Sequence, residues 1–301
     1  YNRLEDSAMS VPIVSLLLVL GCAIGFAGAD LLRKVLSHRI HPVPLLFLLA
    51  AGMCPAFVGW WIWVDASAPS AGYWIPGLGS VLLNVVANLI FLEAVRISPL
   101  SLTIPMLSLT PVFTSLLAIP LLGERPGGLE WLGIVAVVIG AFWLNVDRSA
   151  RESAVSIWGR LGRERGSVLM ILVAAIWSLA LPLDKLAISN SSVPVHGTIL
   201  NFGVALVLAI VLLLRFEKGD LREGRQGAGL VAALVVVSVV ALGLQLVAIT
   251  RVWVGFVETM KRAVGSLLAL LSGWLILGEQ IDVQQVLAVL LMGAGVGLVL
   301  L

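Results

Sequence analysis

Charge is what this sequence lacks most. Only 12% of its 301 residues are Asp, Glu, Lys or Arg, while 60% are hydrophobic and the mean hydropathy is +1.08. A water-soluble domain with that balance has too little polar surface to cover itself, so lipid is the solvent that fits. Cysteine is nearly absent too. Cys22 and Cys54 both lie inside apolar runs, where a thiol packs as a small hydrophobe, so no disulfide or metal role is expected. His38 and His41 stand near the end of the first apolar run with no third ligand nearby, and no metal or cofactor is expected. No P-loop is present, which argues against direct ATP coupling, and no nucleophile-and-base constellation stands out, so the chain is not expected to be an enzyme. Nothing in a net charge of +2 points to nucleic acid. No basic n-region with a small-residue cleavage site precedes Val11, so no cleaved signal peptide is expected.

What is abundant is long apolar sequence. A spanning helix needs about 20 mostly apolar residues, and ten such runs can be read: 11–32, 43–64, 73–96, 98–120, 129–146, 167–187, 194–214, 227–249, 252–277 and 282–301. Joints such as Ile97-Ser98-Pro99 and Ile249 to Val252 are too short for anything but antiparallel hairpins. Two polar segments interrupt the pattern. Residues 147–166 carry five arginines, with Trp158 and Leu161 on one face of a possible interfacial helix, and residues 215–226 form a charged loop.

Shifting the chain by 155 residues superposes its halves. Gly123-Glu124 falls on Gly278-Glu279, each pair preceded by Leu; Leu132 falls on Leu287, Gly140 on Gly295 and Arg96 on Arg251. Nearer the start Lys34 matches Lys185 at a shift of 151, and Pro42 or Pro194 follows. Five helices per half is an odd number, so the second half enters the membrane from the opposite side. The expected fold is therefore an all-α membrane protein of ten transmembrane helices in two inverted five-helix repeats, 11–146 and 167–301, joined by the basic linker 147–166. Such folds place a substrate site near the midplane, where the halves meet.

The stretches that close the two halves carry a family resemblance. Ser98 to Phe142 reads SPLSLTIPMLSLTPVFTSLLAIPLLGERPGGLEWLGIVAVVIGAF, and the second half ends in GWLILGEQIDVQQVLAVLLMGAGVGLVLL. A Pro-bearing fourth helix, a Leu-Gly-Glu turn and a Gly-rich fifth helix resemble the end of an EamA-type repeat of the drug/metabolite transporter superfamily. The resemblance implies a secondary transporter working by alternating access, with a central cavity lined by helices 1, 3, 4, 6, 8 and 9. It also implies helices 5 and 10 at the periphery, as a possible homodimer face, and a bacterial inner (plasma) membrane. Substrates in the superfamily range from amino acids and sugars to nucleotides, cations and lipids.

Thirteen basic residues fall on the side of the two basic loops and four, Arg3, Arg125, Lys185 and Arg251, on the side of the termini. The positive-inside rule then makes loops 147–166 and 215–226 cytoplasmic and puts the termini outside. This departs from the resemblance, since most ten-helix relatives keep both ends in the cytoplasm and carry basic residues in the joint between helices two and three. Here that joint is DASAPSAG.

Lys261 and Arg262 complete the nineteen cations and lie inside the ninth run, with Glu258 at i−3 and i−4. An ionised side chain at the bilayer centre costs about 2.5–3.5 kcal/mol on insertion scales, so three of them need a wet cavity, mutual pairing or a ligand. At the 155 shift they fall on Thr103, Met106 and Leu107, so the fold itself does not demand the charges. One carboxylate facing two cations leaves about one spare positive charge, which suits a phosphate or carboxylate on the solute. The Lys-Arg pair also resembles the one that phosphate-translocator relatives carry in this helix. Asn84 and Asn88 on the third helix, Gln245 on the eighth and Trp177 on the sixth are expected to add polar contacts and shape. Asp30 and Glu258 are the candidates for carrying a coupling proton. Pro105 and Pro111 are expected to interrupt the ladder of the fourth helix and mark it as cavity-lining. Gly133, Gly140, Gly293 and Gly297 allow close helix contact. The expected function is transport of a small anionic solute. The alternatives are an anionic-lipid transporter of the same fold, an intramembrane enzyme and a transport-dead regulator.

Overall fold

A computed structural model of the chain describes residues 12–37, 39–64, 67–97, 104–145, 165–215, 227–277 and 283–301. The proposed interfacial helix around Trp158, most of the loop 215–226, the pair Gly278-Glu279 and Thr103 lie outside the described residues.

Ten helices appear where the apolar runs put them: α1 (Ile13–Ser37), α2 (Pro42–Val64), α3 (Trp74–Ile97), α4 (Thr110–Leu122), α5 (Gly128–Asn145), α6 (Arg165–Ser189), α7 (Val193–Arg215), α8 (Ala228–Ala248), α9 (Val254–Leu277) and α10 (Val283–Leu300). Among the described residues, seven segments satisfy the length and apolarity needed to cross a bilayer. Large apolar side chains such as Ile75, Leu213 and Leu290 stand exposed on the outside of the bundle (88%, 85% and 63%), which is tolerable only against lipid. We call the side bearing both chain ends the terminal face and the opposite side the basic face.

The fourth helix departs from expectation. Its α-helical part begins only at Thr110, after a 3-10 segment Ile104–Leu109. Pro111 sits in the first turn of α4, where its missing N–H has no partner to lose, so it starts the helix rather than interrupting it. Ser178 Oγ of α6 donates to the Thr110 carbonyl at this joint (3.1 Å), so the irregular backbone rests against protein. At its other end α4 stops on Gly123, at φ 70°, a left-handed cap that glycine adopts without strain.

The halves are interleaved. The main packing pairs are α1 with α8, α2 with α7, α3 with α6 and α5 with α10, while α4 packs chiefly on α6 and α9 has α1 as its largest neighbour, so each helix leans chiefly on one from the other half. Glycine permits the closest of these. A Cβ on Gly133 would run into the Gly295 carbonyl, and one on Gly140 would meet the Ala288 carbonyl at 2.8 Å, which seals α5 against α10 within one chain. Gly293 and Gly297 have nothing within 4 Å of such a Cβ and face outward instead.

Candidate functional site

The charged cluster of α9 begins one turn inside the terminal face. Lys261 lies seven residues beyond the helix start at Val254, roughly 10 Å along the axis at 1.5 Å per residue. Its Nζ donates to Glu258 Oε1 at 2.6 Å and to Gln245 Oε1 of α8 at 2.8 Å, and it lies 4.7 Å from the Phe26 ring centroid on α1. Three helices thus spend the Lys261 ammonium on a carboxylate, an amide oxygen and an aromatic face. Arg262 is held far more loosely. One Nη lies 3.8 Å from Glu258 Oε2, beyond hydrogen-bond reach, and neither Arg262 Nε nor Glu258 Oε2 has a hydrogen-bond partner among the described residues. Side-chain exposure is 5% for Glu258, 16% for Lys261 and 21% for Arg262, so Arg262 is the least buried of the three.

The other expected site residues lie elsewhere. Asn84 Nδ2 donates to Ser80 O (3.0 Å) and Ser80 Oγ (3.2 Å), and Asn88 Nδ2 donates to Asn84 O (2.7 Å), so both amides serve chiefly their own helix. Trp177 packs against Phe91, ring centroids 5.6 Å apart, beside a buried cluster that includes Met106 and Leu107. That grouping is the inverted-repeat counterpart of the charged one. Lys261 falls on Met106 at the 155 shift, and Phe26 falls on Trp177 at the 151 shift that also relates Lys34 to Lys185. A cation over an aromatic ring in one half is a methionine beside an aromatic ring in the other. Asp30 lies near the far end of α1, its side chain 65% exposed, with Arg33 at 3.4 Å.

Two polar assemblies at the terminal face were not anticipated. Glu124, from the Leu-Gly-Glu turn after α4, accepts from Lys185 Nζ at 2.6 Å and from the backbone N–H of Val254 at 2.9 Å. Lys185 also donates to the Val252 carbonyl at 2.9 Å. A carboxylate of the first half therefore caps the start of α9 and ties it to the end of α6, directly over the charged cluster. Nearby, Ser70 N donates to Asn190 O at 3.0 Å and links the loops before α3 and α7. The second assembly joins Tyr73, Ser80, Asp184 and His196, all buried. His196 Nε2 lies 3.0 Å from Asp184 Oδ1, Tyr73 Oη lies 3.1 Å from His196 Nδ1, and Ser80 Oγ donates to Asp184 Oδ1. Glu124 was legible as a repeated motif but its partner, 61 residues away, was not.

An open apolar groove of about 250 Å³ runs between α2 and α8, with Phe57, Trp60 and Leu244 in its wall.

A model described as the EamA-like transporter family matches the chain twice, at residues 13–146 and 164–301. No curated protein matches it significantly. One solved structure, described only as "Crystal structure of protein", superposes with a TM-score of 0.72 at 14% identity, over 95% of this chain and 96% of that one. At that identity the likeness speaks for the fold.

Proposed function

That the chain is a member of the EamA-like transporter family, and so a membrane transporter, is the premise from which we propose that it moves a small solute bearing an anionic group by alternating access. The observation that carries this reading is the imbalance at α9. Two cations face one carboxylate inside the membrane, at positions where the other half holds Met106 and Leu107. Lys261 is already committed to Glu258, Gln245 and Phe26, so its role is to position the cluster and set its charge. Arg262 is the recognition residue. Its Nε has no hydrogen-bond partner among the described residues, and a planar fork matches phosphate or carboxylate. Asn84, Asn88 and Trp177 would line the solute's path along α3 and α6.

Alternating access needs a closure that can be undone. The link from Glu124 to Lys185 and to the start of α9 supplies one at the terminal face, which the positive-inside count makes the outer face. At the repeat shifts the same residue types recur in the sequence as Glu279 and Lys34. A homodimer would use the outward face of α10 at Gly293 and Gly297.

One observation favours a second reading, an anionic lipid as cargo. The apolar groove between α2 and α8 shares Leu244 with the helix that presents Gln245 to Lys261, so an acyl chain could lie beside the charged cluster.

The test is a thermal-shift panel of phosphorylated and carboxylated metabolites and anionic lipids on purified protein, followed by uptake of each stabilising compound into proteoliposomes. Stabilisation by anions in the wild type, absent in Arg262→Ala, supports the proposal, and the compound class decides between the readings. Stabilisation by neutral or cationic compounds only, or equal stabilisation of Arg262→Ala, sinks it.

A further inference from the structure

Proton coupling needs an acid or base that is shielded from water and not locked to a fixed cation. Asp30 and Glu258 each face one: Asp30 has Arg33, and Glu258 has Lys261 and Arg262. Asp184 differs. It is 4% exposed, and its hydrogen-bond partners among the described residues are an imidazole and a hydroxyl. We propose that the buried Asp184–His196 pair, reached through Tyr73, is the proton-binding site that couples transport to the proton gradient.

The geometry supports two arrangements of the same bonds. In one, His196 Nε2–H donates to the Asp184 carboxylate, and Nδ1 accepts from the Tyr73 hydroxyl. In the other, a protonated Asp184 donates to Nε2, and Nδ1–H donates to Tyr73. The second holds one proton more than the first: a proton taken up at Tyr73 displaces the hydroxyl proton to Nδ1 while the Nε2 proton passes to Asp184, and both arrangements fit the observed 3.0 Å and 3.1 Å separations. The row continues inward: Ser80 Oγ donates to Asp184, and Asn84 Nδ2 donates to Ser80 Oγ. Tyr73 to Asn84 is eleven residues, about 16 Å along the axis of α3, or half the hydrocarbon thickness. Tyr73 and Ser80 belong to the first half, and Asp184 and His196 to the second, so separating the halves breaks the row.

The neighbouring charges fit a coupling role. Lys185 follows Asp184 on α6, but its ammonium is drawn off to Glu124 and the Val252 carbonyl. One helix end thus carries both the proton pair and the outer closure. Around Asp184 the titratable groups are Tyr73 just before α3, His196 of α7 and, on its own helix, Lys185, with Glu124 beyond it. The fold does not require the pair: at the repeat shifts Asp184 falls on Arg33 and Ser80 on Val235.

The inference rests on the transport reading only for the use made of the proton; binding is tested whatever the cargo. Reconstituted protein is stepped between about pH 5 and pH 8 while its infrared difference spectrum is recorded. We expect a carboxylic-acid C=O band that is lost in Asp184→Asn, moved in His196→Gln and moved in Asp184→Glu, the last serving if the Asn variant fails to fold. The same band in Asp184→Asn or Asp184→Glu, or no band in the wild type, overturns the proposal. Coupling is read by labelling V254C, beneath the closure, with a membrane-impermeant maleimide. Relative to the labelling rate of the denatured protein at each pH, we expect severalfold pH dependence that disappears when Asp184→Asn is added and moves along the pH axis when Asp184→Glu is added. Labelling flat with pH from the start, or unchanged by the second substitution, overturns the coupling. A binding panel that finds no anion would sink the anionic-cargo reading and leave both of these readouts standing.

Discussion

Replacing Glu258 by glutamine keeps the shape of the α9 cluster and removes its negative charge. The carboxylate is 5% exposed, 2.6 Å from Lys261 Nζ and 3.8 Å from the Arg262 guanidinium. Breaking a buried pair from one side costs about 3–5 kcal/mol, because the remaining charge is left uncompensated. Gln245 and the Phe26 ring still serve Lys261, so about 3 kcal/mol is expected for Glu258→Gln. Lys261→Met should behave differently. It leaves Glu258 facing Arg262 alone and introduces the side chain that the other half carries at Met106. The bond to Gln245 is lost, at about 1 kcal/mol. Combining Glu258→Gln with Lys261→Met restores one unpaired cation instead of two. The pair should therefore be non-additive by about 1.5–2 kcal/mol, within the range for residues in contact. Unfolding in detergent, followed by tryptophan fluorescence, measures all three variants. If Lys261→Met destabilises as much as Glu258→Gln, or if the two effects add, the charge-balance account of the cluster is wrong.

The remaining predictions concern packing and closure. Gly133→Leu forces a side chain into the α10 backbone and should cost about 1–3 kcal/mol or more, whereas Gly297→Leu, facing outward, should leave the unfolding temperature unchanged. Gly123→Ala places a Cβ at φ 70° and should cost about 1–2 kcal/mol in the same assay. Glu124→Gln weakens the tie to Lys185 and to the start of α9, so maleimide labelling of V254C from the outer face should rise severalfold; unchanged labelling would remove Glu124 from the closure.

The helices were legible because a bilayer imposes one length and one polarity on each, so α2, α6 and α7 begin and end within about two residues of their apolar runs. The start of α4 was misplaced because hydropathy does not register how proline divides an apolar run into 3-10 and α segments. Within the site, the bond from Lys261 to Glu258 follows from helix spacing, and the one to Gln245 from the scarcity of polar groups nearby. Phe26 gave no signal of its own in an apolar helix; its alignment with Trp177 is the mark it left. Asp184 and His196 are only 12 residues apart, yet local pairing and interfacial placement explain each residue singly. Their meeting with Tyr73 depends on how α3 crosses α6 and α7, which no local pattern encodes.

The interleaving of the halves has a consequence for biosynthesis. When α5 leaves the ribosome, its glycine face has no mate, because α10 lies 155 residues further along the chain. At about 5–20 residues per second, that wait is roughly 8–30 s. Newly inserted helices must stay in the bilayer through that time as separate rods, with Gly133 and Gly140 bare to lipid or to whatever holds them. A nascent chain stalled within the second half should therefore be a target for membrane proteases, while two fragments divided at the basic linker and made together should find each other and assemble.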